Sequence, residues 1–462
     1  MADHREEVDA WPREHIEPLP PPPGTFDQIK RRARRRKFRK LAITATSAAV
    51  LVAAAVAVPQ VVNLQVLNPN PTSGVAAAVG QSSAATPSRT SRHSESSAAA
   101  SSAVPVTSPV PANFQPTSVT FIGTRTGWVI GQAETPGHCT TRYCTSVART
   151  DNVGQSWHGV PAPVTGEAQG ATGVSQIRFL NLRDGWAFGP ELFVTHDGGR
   201  TWAQVDTRGL RVTDLETVGH RAFAVWASCT GNSVAFAKWC TRFTLYPSPA
   251  SGGDWTPVGT ATTGLTDTDT FGAASLALSG SRGYLLAPDG ALYAGPVDGS
   301  APWQRVGSLV SSCDVGTAQP WAQPSGAVLG VVNAHELIVA CTSAGNPAAG
   351  TQQKQIFTSP DGGASWLPLS TAPTAGTALS LAASPSQSVV LATDRGIDLL
   401  PAGGVAWRAA TLNGAVPGGG FGYVGMTTGE QGIALPADPA SGTVWFTFDG
   451  GQSWHPSRVG GS

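Results

Sequence analysis

The chain has 462 residues, only 13% of them charged, with 54 glycines, 36 prolines and a formal net charge of zero. That length holds two or three ordinary domains, or one large repeat domain behind a leader. The glycine and proline content argues for many turns and against a fold of long helices.

The zero charge hides an asymmetry. Residues 1–40 hold 11 Lys/Arg against 7 Asp/Glu, and the basic excess sits in KRRARRRKFRK (Lys30–Lys40). Upstream, Thr25 and Gln28 have the spacing of a capping box, so a basic helix can start there and run on. The charge-free run LAITATSAAVLVAAAVAV (Leu41–Val58) follows at once. Eighteen apolar or small residues suffice to cross about 30 Å of hydrocarbon as a helix. Basic residues on the N-terminal side place that end in the cytoplasm. The pattern predicts a cytoplasmic basic tail (1–40), one transmembrane helix (41–62) and everything after it outside the membrane. The competing reading is a cleaved export signal, with Arg35-Arg36-Lys37-Phe38 as a twin-arginine pattern and Ala55-Val56-Ala57 as the cleavage site. Residues 63–116 are dominated by Ser, Ala, Thr and Pro without periodicity. Such a segment cannot bury enough apolar surface to offset its ordering entropy, and is expected to be a disordered linker.

From Thr117 the chain reads as short β-type runs between Gly, Pro, Asp and Ser. VTFIGTRTGWVIG (Val119–Gly131) aligns without a gap on IRFLNLRDGWAFG (Ile177–Gly189), and each reads as strand, tight turn, strand. After these hairpins comes an eight-residue box. THDGGRTW (Thr195–Trp202), SPDGGASW (Ser359–Trp366) and TFDGGQSW (Thr447–Trp454) are complete copies. A fourth, Thr150–Trp157, carries Asn152 in the Asp position. Decayed copies end at Trp255, Trp303 and Trp407. Seven units of about 40–60 residues, each a four-stranded sheet, predict an all-β seven-bladed β-propeller over 117–462, in which every blade buries both faces against its neighbours.

Each box position has a mechanical task in the turn between a blade's third and fourth strands. Asp197, Asp361, Asp449 and Asn152 can accept bonds from the turn's own N–H groups. Gly199, Gly363 and Gly451 supply positive φ. Trp157, Trp202, Trp366 and Trp454 bury large rings between hairpins. The decay of three copies suits a motif that stabilises blades individually.

These boxes resemble the Asp-box (BNR) repeat of sialidases and sortilin-type receptors. Combined with the F-x5-G-W-x2-G hairpins, the pattern is more similar to photosystem II assembly and stability factor-like propellers. The resemblance covers 117–462. It implies a propeller with the boxes on its outer rim and ligand sites at the central channel, and the idea of an assembly scaffold. The long linker and basic tail depart from that group, and no residue pattern implies a pigment.

Six cysteines fall as Cys139 and Cys144, Cys229 and Cys240, Cys313 and Cys341, each pair inside one repeat. Three local disulfides are expected in an extracytoplasmic domain. None has C-x2-C spacing, and the histidines are scattered, so no metal or other cofactor is expected. All three bridges map to the face opposite the boxes, where stapled insertions suit a preorganised binding surface. Arg142, Tyr143, Lys238, Trp239, Arg242 and Trp321 are the candidate contacts there for a protein or glycan partner. Residues 117–462 contain only two lysines, Lys238 and Lys354, which argues against nucleic acid or another polyanion. The expected function is a membrane-anchored, non-catalytic binding or assembly scaffold. The alternative, a sialidase-like glycoside hydrolase, needs an arginine triad and a Tyr nucleophile. The Phe/Tyr-Arg-Ile-Pro motif that marks the first arginine is absent from the sequence.

Overall fold

The computed structural model describes residues 108–134, 143–165, 173–229, 240–250, 254–257, 274–287, 290–309, 313, 326–342 and 350–460. The basic tail, the apolar run Leu41–Val58, the linker up to residue 107, Cys139, Arg142, Lys238, Trp239 and Trp321 lie outside them. Among the described residues no helix is long and apolar enough to cross a membrane.

The described strands form seven antiparallel sheets in chain order, the blades of a propeller. Blades 1 (115–160), 2 (176–204), 4 (275–308), 5 (326–372) and 6 (378–409) have four strands each. Blade 3 (211–249) has three; Trp255, at the place of a fourth, lies outside any strand. Blade 7 (421–458) gains a fifth, because Thr411–Leu412 pairs in parallel with the outer strand Ser453–Arg458. Strand order within a blade follows the chain, and the first strands of consecutive blades touch one another. Those first strands therefore line the central channel.

The core is divided as this topology demands. Seven apolar clusters fill the described domain, each drawn from two consecutive blades. Blades 1 and 2, for example, meet through Trp128, Ile130 and Val147 against Ile177, Phe179 and Phe193. The ring closes by the same device. Phe114, Val119 and Val129 of the first blade pack on Ile433, Leu435 and Phe446 of the last, and among the described residues no strand is exchanged between them.

This closure moves a boundary. The described residues of the domain begin at Ser108, nine residues before the expected Thr117. Ser108 bridges to Gly159 at the outer edge of blade 1, and Phe114 is 3% exposed in the closing cluster. The Ser/Pro composition concealed two apolar residues, Val110 and Phe114, that the seam requires.

Candidate functional site

The DGG turns follow one hydrogen-bond plan. In blade 2 the Thr195 hydroxyl donates to Asp197 Oδ1 at 2.9 Å and accepts from the Gly199 amide at 3.0 Å. Asp197 Oδ1 also accepts the amides of Arg200 and Thr201, and Oδ2 accepts the Thr201 hydroxyl at 2.7 Å. Asp449 repeats the set with Thr447, Gln452 and Ser453, and Asp361 makes it with Ser359 and Ser365. Asn152 keeps it by turning its amide nitrogen to the Ser156 hydroxyl at 2.8 Å. Both glycines of each DGG lie at positive φ, 79° and 90° at Gly198 and Gly199. Burial acts to raise the Asp197 and Asp449 carboxyls, but the hydrogen bonds outweigh it and hold both below the ordinary value. The bonds from Ser365 and Ser359 hold Asp361 at about 2. The oxygens of these carboxylates are spent on their own turns.

The tryptophans bury their rings between hairpins, as the sequence suggests, and the hairpins belong to different blades. All seven pack into the interface with the preceding blade: Trp157 against blade 7, Trp202 against blade 1, and so on to Trp454 against blade 6. Trp157 Nε1 donates to Ser457, Trp202 Nε1 to the Pro161 carbonyl, and Trp407 Nε1 to Ser370. The box thus joins blades as well as folding a turn. Its Trp survives where the Asp has decayed because the interface needs the ring whether or not the turn needs the carboxylate.

Of the candidate contacts, two are described. Tyr143 opens the third strand of blade 1 and lines a polar cavity of about 290 Å³ with Asn113, Glu134 and Arg458 at the seam with blade 7. Arg242 is exposed in the third strand of blade 3. Cys229 pairs with Cys240 and Cys313 with Cys341; Cys144 is also disulfide-bonded. Cys229 and Cys240 are cross-strand partners at the ends of two strands, a position further inside the sheet than the loop expected. Lys354 is no surface cation. It is fully buried and its ammonium donates to the carbonyls of Gln352, Ala375 and Gly376 at 2.7–3.1 Å, clamping blade 5 to the connection that leads to blade 6.

The most concentrated chemistry lies where the sequence reading did not look, on the first strands. Arg178 of blade 2 donates from Nε to Glu216 Oε1 of blade 3 at 2.9 Å, and from Nη1 to Ser118 of blade 1 and to the Ile177 carbonyl. Asp214, two residues before Glu216, accepts the amide of Leu215 on Oδ1 and that of Leu276, in blade 4, on Oδ2, both at 2.8 Å. Tyr423 enters from blade 7 and interacts electrostatically with all three charged groups. All four side chains are half-buried, and the Glu216 side chain keeps 30% of its exposure. Burial and then Glu216 push the Asp214 carboxyl up, to about 7, against the pull of Arg178 and two amides. Burial alone would lower Arg178; Glu216, Tyr423 and Asp214 raise it instead. Burial also raises the Tyr423 phenol.

A cavity of about 280 Å³ reaches Arg178 and Tyr423 of this cluster but neither of its carboxylates, and is lined besides by Pro116, Thr117, Ser118, Gln176 and the end of a second strand at Leu435–Ala437. First strands begin and second strands end on the face opposite the DGG turns, so the cavity opens on that face. Ser118, Arg178, Glu216 and Tyr423 are spread over some 300 residues, and only ring closure brings them together. The signal present in the sequence was charge on the first strand of a blade: DLE in RVTDLETV and R in QIRF, against none in SLALS, GAVLGV or ALSLAA.

No protein-family model and no curated protein matches the chain. Among solved structures, the chain is similar to YCF48 from Cyanidioschyzon merolae, at 15% identity over 62% of this chain and 85% of that one, with a TM-score of 0.40. It is similar to YCF48 bound to D1 peptide at 16% identity, over 61% and 79%, with a TM-score of 0.38. An ancestral GH74 enzyme is similar at 13% identity over 76% of this chain and 47% of its own, with a TM-score of 0.49.

Proposed function

We propose that the propeller is a non-catalytic binding module that engages a protein partner at the channel mouth, on the face opposite the DGG turns. One observation carries this reading: an open cavity on the channel face walled by Arg178 and Tyr423, with Glu216 and Asp214 behind them in an unrepeated cluster. A fold built on seven equivalent blades needs no such asymmetry for its stability, and convergent polar groups in a cavity are the ordinary mark of a ligand site. On the same reading the turns are Asp-box repeats, and the module is held outside the cell membrane by Leu41–Val58 behind a cytoplasmic basic tail. The disulfides support an oxidising compartment.

The test is photo-crosslinking in cells. A photoreactive residue at Gln176, on the cavity wall, is expected to capture a partner. The same residue at Arg183, exposed on the DGG side, is expected to capture none. Equal capture from both positions would overturn the assignment of the face.

Hydrolysis of a glycoside is the second reading, favoured by a tyrosine beside an arginine and two carboxylates in the channel. The bonding argues against it. A nucleophilic tyrosine needs a lowered pKa, whereas burial raises that of Tyr423. Asp214 holds an amide on each oxygen, and Glu216 is engaged by Arg178. Turnover of a fluorogenic sialoside by the purified protein at enzyme-like rates would establish the second reading; none is expected.

A further inference from the structure

The channel-facing edges of the first strands are capped by side chains, and the cap is missing where the cavity opens. Val119, Ile177, Leu215, Leu276 and Val424 hold equivalent positions in blades 1, 2, 3, 4 and 7. In four of these blades the amide there is bound by a side chain. Ser118 of blade 1 accepts from Ile177 at 3.2 Å, and Ser380 of blade 6 accepts from Val424 at 3.1 Å. Asp214 accepts from Leu276 of blade 4 and from its own neighbour Leu215, both at 2.8 Å. N–H groups at this position therefore point away from the second strand, towards the channel, and in an antiparallel ladder the C=O of the same residue points with them. The cap for Val119 would fall to Tyr423, which holds the place in blade 7 that Ser118 and Ser380 hold in theirs. Its ring runs along its own strand instead, with the hydroxyl beside Gly425. The Val119 N–H and C=O have no partner among the described residues. Blades 5 and 6 also lack the cap, at Leu329 and Leu381, but of the three only Val119 lines this cavity.

Val119 is 3% exposed, and a buried backbone amide without a partner is rare. With its carbonyl beside it on a cavity wall, it is what a free strand edge offers to an incoming chain. Resting on the binding reading above, we infer that an extended segment of the partner adds to the first strand of blade 1, exchanging backbone hydrogen bonds with Val119. In pairing of this kind the main chain supplies affinity and the neighbouring side chains supply selectivity. The wall suits an uncharged main chain. Arg178 is its only charged residue, and Glu216 already matches that guanidinium at 2.9 Å. A cavity of about 280 Å³ admits a short extended stretch and is too small for a folded element.

Two experiments test the pairing. In the first, partner capture from the photoreactive residue at Gln176 is compared between Tyr423→Ser and Tyr423→Ala. Both variants remove the ring, and thermal melting checks that both fold. Serine at this place reproduces the cap that Ser118 and Ser380 supply and closes Val119, whereas alanine leaves it open. Capture should be lower in the serine variant than in the alanine variant by about fivefold or more, the worth of one net hydrogen bond. In the second, random heptapeptides are passed over the immobilised full chain beside the same pool N-methylated at every backbone amide. The unmethylated pool should be retained better by about fivefold or more. Both pools carry the same side-chain charges, so the basic tail cannot produce the difference. Equal capture by the folded serine and alanine variants, or equal retention of the two pools, would overturn the pairing. Capture by the unaltered protein that persists beside either result would leave the binding module standing and remove only its edge-pairing mode. If the unaltered protein captures nothing, the binding reading falls and the pools alone decide the pairing.

Discussion

The DGG turns and the channel cluster both place carboxylates among hydroxyls and amides, yet they differ in two respects. The turns are repeated, and every carboxylate in them is saturated by its own eight residues: Asp197 and Asp449 each accept the same hydroxyls and amides. Among the described residues the cluster occurs once, draws on four blades, and leaves Glu216 Oε2 and the Tyr423 hydroxyl without a partner. In a repeat protein, a feature copied from blade to blade reports what each blade needs. A feature present once reports what the whole ring is for.

The largest expected effect lies on the repeated side. Trp128 is fully buried, stacked on Phe179 with ring centroids 3.8 Å apart, and donates to the Gly198 carbonyl in the next blade's turn. Trp128→Ala should cost about 3–5 kcal/mol in denaturant unfolding. A loss under about 1 kcal/mol would show that the interfaces between blades are not what holds the ring.

Next comes the turn itself. Asp449→Ala should cost about 1–2 kcal/mol, because two amides and two hydroxyls lose their acceptor. Asp449→Asn should cost less than about 1 kcal/mol, since Asn152 already makes the equivalent bonds in blade 1. Equal losses from the two variants would mean that charge, and not geometry, locks the turn.

Stability against pH separates the two sets of carboxylates by sign. Asp361 is lowered from 3.8 to about 2, and Asp197 and Asp449 are also lowered. Their contribution is fully present above 3.8 and is lost as pH falls below it, for Asp361 towards about 2. Asp214 is raised from 3.8 to about 7, so the folded protein holds a proton there that the unfolded chain releases, and stability falls as pH rises through that window. Melting followed from pH 2 to pH 8 should show Asp214→Asn flattening the upper limb only. Flattening of the acid limb by that variant would contradict the assignment.

The smallest effect tests a blemish in the blade 1 turn. Val153 stands at φ 64°, where the other boxes have glycine, and β-branched residues are strained there. Val153→Gly should stabilise the protein by up to about 1 kcal/mol, less whatever its packing on the closing seam contributes. A clear loss would mean that the packing dominates.

The fold was legible because its signal is repeated. The spacing of the seven box tryptophans counts the blades and sets their phase, and the aligned hairpins at Val119 and Ile177 give the strand order. The extent of the domain was less legible: Phe114 and Val110 matter only once blade 7 returns to meet them. Of the proposed site, strand order gives the face on which the cavity opens, but the residues that line the cavity were not readable. Arg178 looks like one more polar residue in a strand until the ring sets it beside Glu216, and Tyr423 becomes its neighbour only across the closed channel. Tyr143 and Arg242 do lie at strand starts on that face, away from the cavity that Arg178 lines.

The measurement that bears most directly on the central claim is the double variant Arg178→Met/Glu216→Leu. Replacing a partly buried ion pair by apolar side chains of similar volume is close to neutral for stability, so melting should stay within about 1 kcal/mol of the unaltered protein. Partner capture from the photoreactive residue at Gln176 should be lost. A folded double variant that still captures its partner in full would show that the channel cluster does not bind it.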